Sequence, residues 1–125
     1  MLVKHLTVIN SVLALRRLDG FKFDSIALLH IARNLRRLTE CAGDIERVRV
    51  GLQQKYGVTD KDADSGKPIW TAYASEWQQF IEKETEIHIH LMTVKDLNLT
   101  ANQIPVTALA VLDWMIEPES DERKG

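Results

Sequence analysis

From residue 24 onward, apolar residues recur at Leu28, Ile31, Leu35, Leu38, Ala42, Ile45 and Leu52, in steps of three and four broken only at Arg49. That spacing lays them along one face of a helix. Asp24 is a suitable N-cap, and Gly57 is a stop after Lys55 and Tyr56. One helix over 24–56 is predicted, about 50 Å long at 1.5 Å per residue. Gly43 weakens its middle by about 1 kcal/mol relative to Ala, yet the seam stays in phase across it.

Shorter patterns flank this spine. Residues 1–6 alternate loosely and suit an edge strand or extended arm. Val8, Ile9, Val12, Leu13 and Leu15 predict a helix over 7–18, capped by Thr7 and stopped by Gly20, with Arg16 and Arg17 at the negative end of its dipole. Residues 58–68 are polar and read as a loop. Pro68 then precedes a stripe of Trp70, Tyr73, Ala74, Trp77, Phe80 and Ile81, a helix over 69–84 whose large residues form core. At Glu86 the period falls to two: Ile87, Ile89 and Leu91 alternate with Glu86, His88 and His90, the mark of a half-buried strand over 86–92. Residues 96–100 connect it to a last helix opened by Pro105, with Ala108, Leu109, Leu112, Met115 and Ile116 on one face. The expected fold is mainly α with a small β element. A long central helix is packed by two shorter antiparallel helices, with one or two short strands and a C-terminal helix, all in a single domain over 1–117. Residues 118–125 form a charged, flexible tail. The strand over 86–92 pairs either with residues 2–6 or with its counterpart in a neighbouring copy.

Composition adds two constraints. Cys41 is the only cysteine of 125 residues, which excludes an internal disulfide and suits a reducing compartment. No run of 18 apolar residues is present, so no membrane partner is expected and the reading is a soluble, intracellular domain. The net charge of −2 conceals a split. Residues 1–57 hold 10 Lys/Arg against 5 Asp/Glu, and residues 58–125 hold 6 against 13. Opposite halves attract each other within one fold or between copies.

The chemistry is thin. His88 and His90, two apart on a strand with Glu86, share a face and could offer ligands to a metal, but no further ligand is assignable, and all three read as solvent-facing. Asp60, Asp62 and Asp64 before Gly66 are spaced like a calcium loop. The glycine comes one position late and Thr71 stands where the bidentate acid belongs, so a solvated loop is the reading. Cys41 falls beside the seam as a buried structural thiol. There is no phosphate-cradling glycine loop, GxSxG or HExxH motif. No enzyme and no cofactor are expected. Arg33, Arg36 and Arg37 lie to one side of the long helix, away from the seam, without interleaved aromatics. They suit a protein partner better than nucleic acid. The expected interaction surface is therefore Arg33, Arg36, Arg37, Glu86, His88 and His90.

The order of blocks also resembles a family of small bacteriophage and prophage proteins whose members have no established function. The likeness covers roughly residues 5–117. It rests on VINSVLALRRL at 8–18, FKFDSIALLHIARNLRRL at 21–38, LQQKYG at 52–57, ETEIHIHLMTVKDL at 84–97 and IPVTALAVLDWMIE at 104–117. Asp96-Leu97 and Trp114-Met115-Ile116-Glu117 are the blocks that recur together in that family. The resemblance implies a phage setting, in the host cytoplasm or the virion. It implies non-catalytic work: virion assembly, or modulation of a host system, through self-association and contact with a phage or host protein. A nucleic-acid-associated regulator using the arginine-rich helix faces is the alternative.

Overall fold

The computed structural model describes residues 1–118. The tail assigned to 118–125 therefore lies almost wholly outside the described residues. Within them the chain is mainly helical with a two-stranded antiparallel sheet.

Strand β1 (Leu2–Lys4) runs directly into helix α1 (His5–Arg16). The helix begins two residues before the expected start, and Thr7 is not its cap. The reason is tertiary: the His5 amide bonds to the Lys83 carbonyl at 3.0 Å, which carries sheet pairing up to the first helical residue. Val8, Val12, Ala14 and Leu15 are buried. The spine is α2 (Ser25–Tyr56), close to the expected span. Asp24 caps it by accepting from the Ala27 amide at 2.8 Å, and Gly57 ends it at φ 66°, where a residue without a Cβ is unstrained.

The buried face of α2 is rotated slightly from the expected seam. Ala27, Ile31, Asn34, Leu38 and Ile45 are buried, whereas Leu28 is 49% exposed and Leu35, Ala42 and Leu52 are half-buried. Replacing Leu28 by Ala27 and admitting Asn34 keeps the three–four spacing, so the period was right and the phase was not. Helix α1 packs on both α2 and a later helix, α5 (Val106–Leu112), and α3 (Pro68–Ile81) packs on α2. Only Tyr73 and Ile81 of α3 are fully buried, and Trp70, Trp77 and Phe80 are half-covered.

Strand β2 is Glu84–Glu86, not 86–92. It pairs antiparallel with β1 in the register Leu2↔Glu86, Val3↔Thr85 and Lys4↔Glu84. The strand thus finds its neighbour inside the chain, and an unpaired strand no longer argues for self-association. Val3 and Ile87 are buried, which puts one sheet face on the core. A helical turn, α4 (Val94–Leu97), begins before the expected connector over 96–100 and takes up its first two residues, with a capping box between Thr93 and Asp96. Helix α5 (Val106–Leu112) follows Pro105 and tightens into a 3-10 turn at Asp113–Met115. Ile116 then bridges to Met92, so the expected last helix ends early.

Candidate interaction surfaces

Residues 87–91 alternate in sequence as a strand does but pair with no strand beyond the Ile87–Met1 bond. Side chains of α2 take the partner's place. Asn34, fully buried, donates from Nδ2 to the His90 carbonyl and accepts from the His90 amide at Oδ1, both at 2.8 Å. An amide side chain has one donor and one acceptor side by side, so a single asparagine reproduces a strand's two-bond pairing. One turn on, Arg37 donates from Nη1 to the His88 carbonyl at 3.3 Å. One turn back, the His30 ring stacks on His90 with centroids 3.5 Å apart. The His30 Nδ1 is buried and has no hydrogen-bond partner. Asn102 uses the same device elsewhere: it accepts from the Lys22 amide at 2.8 Å and donates to the Lys22 carbonyl at 2.7 Å, pinning the α1–α2 loop.

The six residues expected to form one surface are divided. Arg37, Glu86 and His88 line a common groove between α2 and β2, together with Glu40, Cys41 and Asp44. Its volume is about 440 Å³. Glu86 is 2.5 Å from the Met1 ammonium, which holds its carboxyl below the usual carboxylate range. His90 lies farther along, exposed but with its ring on His30. Arg33 and Arg36 are exposed, and Arg36 lies half a turn round α2 from the buried Leu38. Spaced three and four apart on α2, the three arginines are all exposed, and of them only Arg37 lines this groove. Cys41 is half-buried rather than buried, and desolvation, helped by Asp44, raises its thiol pKa, which disfavours the reactive thiolate.

Among the described residues no group of three His, Cys, Asp or Glu side chains is placed to hold a metal ion. Two of the three acids of the calcium-like loop are engaged internally. Asp60 accepts from Arg49 and Gln53, and Asp62 accepts from the Thr59 amide at 2.9 Å while closing a capping box. These donors hold both carboxyls below the usual range.

A second surface uses Leu28 and Leu35, two residues of the expected apolar seam, together with Leu18, Phe21 and Phe23, to which the sequence pattern gives no role. Between the end of α1 and the first turns of α2 opens a groove of about 410 Å³, lined chiefly by Leu18, Phe21, Phe23, Leu28 and Leu35, with Arg16 and Asp19 beside them. Ile26 and Leu29 on the same turns of α2 are exposed as well. Around it the cations are unpaired: Arg16, Arg17, Arg33 and Arg36 make no ion pair with a described carboxylate. Elsewhere the charge split closes inside the fold, through Lys4–Glu82 at 2.7 Å, Arg49–Asp60 at 3.1 Å and Lys55–Glu76 at 2.8 Å.

No helix among the described residues is long and apolar enough to cross a membrane. Compared with known proteins, the chain matches no family model, no curated protein and no solved structure.

Proposed function

We propose that this protein is a non-catalytic protein-interaction module, and that the α1–α2 end is its docking surface. The observation that carries the reading is the apolar groove beside Leu28 and Phe23, with nearby arginines that pair with no carboxylate among the described residues. Exposed apolar side chains gathered on one site suit association. Unpaired guanidinium groups around them select a partner that brings apolar anchors flanked by carboxylates. The acidic half of a second copy meets that description in a head-to-tail contact, and so does a separate acidic protein. The block resemblance supports a phage or prophage setting, with the partner a phage or host protein and the work either assembly or modulation of a host system.

Two measurements test this. Light scattering coupled to size exclusion, at two salt concentrations, reads self-association as a mass above 14.3 kDa that falls as salt rises. Titration of arbitrary duplex DNA reads the alternative. Phosphate contacts by four arginines lose about 10² in affinity between 50 and 200 mM salt, and six to ten contacts about 10³–10⁵. Tight, salt-steep DNA binding would replace the protein-partner reading with the regulator.

A further inference from the structure

We propose that the free edge of β2 is a docking site for an extended, basic segment of a partner protein, which adds as a third strand in the groove between β2 and α2. The inference rests on the reading of this chain as an interaction protein, but on a different surface from the apolar end.

The hydrogen-bond pattern defines the edge. The Ile87 amide bonds to the Met1 carbonyl and the His5 amide to the Lys83 carbonyl, each at 3.0 Å. In an antiparallel ladder bonded pairs alternate, so Val3 and Thr85 form the bonded pair between them. The amides and carbonyls of Glu84 and Glu86 therefore point away from β1. Farther along the same edge, α2 supplies the missing partner, with Arg37 at His88 and Asn34 at His90. Positions 34, 37, 41 and 44 succeed one another along one strip of the helix. At 41 and 44 the strip runs out of donors: Cys41 offers a weak one, and the Asp44 carboxylate is turned to Arg47. There the chain and the helix part, and the 440 Å³ groove opens.

The occupant follows from what the groove presents. Main-chain donors and acceptors along a strand edge are met by an extended backbone. Asp44 and Glu86 are engaged by Arg47 and the Met1 ammonium. Glu40 in the lining and Glu84 on the strand edge pair with no cation among the described residues, so the acids left open to an incoming segment call for cationic side chains. A second β2 is a poor fit. Antiparallel self-pairing of Glu84-Thr85-Glu86 sets Glu84 against Glu86, and like charges directly opposite are destabilising. The same carboxylates that protect a bare edge from its own kind select a basic strand.

The probe is an acetylated, amidated Val-Lys-Val-Lys-Val peptide added to the intact protein and followed by amide NMR. The expected result is shifted resonances and slowed exchange at the Glu84 and Glu86 amides, with binding that weakens as salt rises. N-methylation of alternate peptide amides should abolish it. Glu40→Lys combined with Asp44→Lys, both exposed, should weaken it at least tenfold with the fold unchanged by circular dichroism. Leu28→Asp should leave it unaltered, which separates this site from the apolar end. Equal binding of the N-methylated peptide, shifts confined to other residues, or an unaffected double variant would overturn the proposal. So would light scattering showing that β2 edges of two copies pair and exclude the peptide.

Discussion

In the C-terminal half of α2, Lys55 reaches Glu76 on α3 and Arg49 reaches Asp60 in the following loop, so cations of the basic half of the chain meet acids of the other half. In the N-terminal half, Arg33 and Arg36 meet no described carboxylate, Leu28 stands exposed in the wall of an open groove, and Ile26 and Leu29 on the same turns are exposed as well. One helix, with one capping logic and one period, thus has a half that is neutralised internally and a half that is not. The lesson concerns net charge: −2 for the whole chain describes neither half. The end left unpaired among the described residues is the one proposed for docking.

Substitutions along α2 sharpen this contrast, and the largest expected effect comes from the buried strip. Leu38 is fully buried, and Leu38→Ala should cost about 2–5 kcal/mol, as a core leucine deletion does. Leu28→Ala, ten residues back and about 80° round the helix from it, should stay within about 0.5 kcal/mol because half of that side chain already faces water. Chemical denaturation compares the two. Equal losses would mean that the exposed end is core after all.

Asn34→Ala comes next. It strands the His90 amide and carbonyl without their partner, at about 1–3 kcal/mol for a buried unsatisfied group. Hydrogen exchange at the His90 amide should accelerate, and exchange at Thr85, held by β1, should not follow it. Parallel acceleration of both would show that 84–91 opens as one strand.

Acid should divide the two halves of α2 by a smaller amount. Lys55 and Tyr56 hold the Glu76 carboxyl below the usual range, and Gln53 with Arg49 does the same for Asp60. The folded state then binds fewer protons than the unfolded one, so this stabilisation is complete at neutral pH. It is lost as pH falls below the ordinary carboxylate value of about 4 and through the depressed folded values. Glu76→Gln should reduce the slope of stability against pH in that window. Arg36→Gln, at the unpaired end, should leave the slope unchanged and cost within about 0.5 kcal/mol.

Much of the helical frame was legible in the sequence. Asp24, Gly57 and Pro68 mark helix ends through their own backbone chemistry, and that chemistry does not depend on what packs nearby. The phase of the α2 seam was harder to read, because Leu28 and Ala27 differ in hydrophobicity in the wrong direction for their burial. A leucine at the open end stays exposed, and the small alanine fits where helices approach. The strand was misplaced for a comparable reason. Alternation over 86–92 reports which side chains face the core, but it is silent on whether the backbone's partner is another strand or the side chains of Asn34 and Arg37. The one signal available was Asn34 itself, a polar residue in step with Ile31 and Leu38. A buried asparagine must satisfy both ends of its amide. The apolar end was hidden because apolar residues at helical spacing read as core whether or not anything covers them.

The most direct test of the α1–α2 end as a docking surface is parallel capture from phage-infected cells with the wild-type protein and Leu28→Asp, each with and without nuclease. The expected result is a specific protein retained by the wild type in both conditions and lost with Leu28→Asp. Recovery of nucleic acid alone, or of the same proteins by both baits, would contradict it.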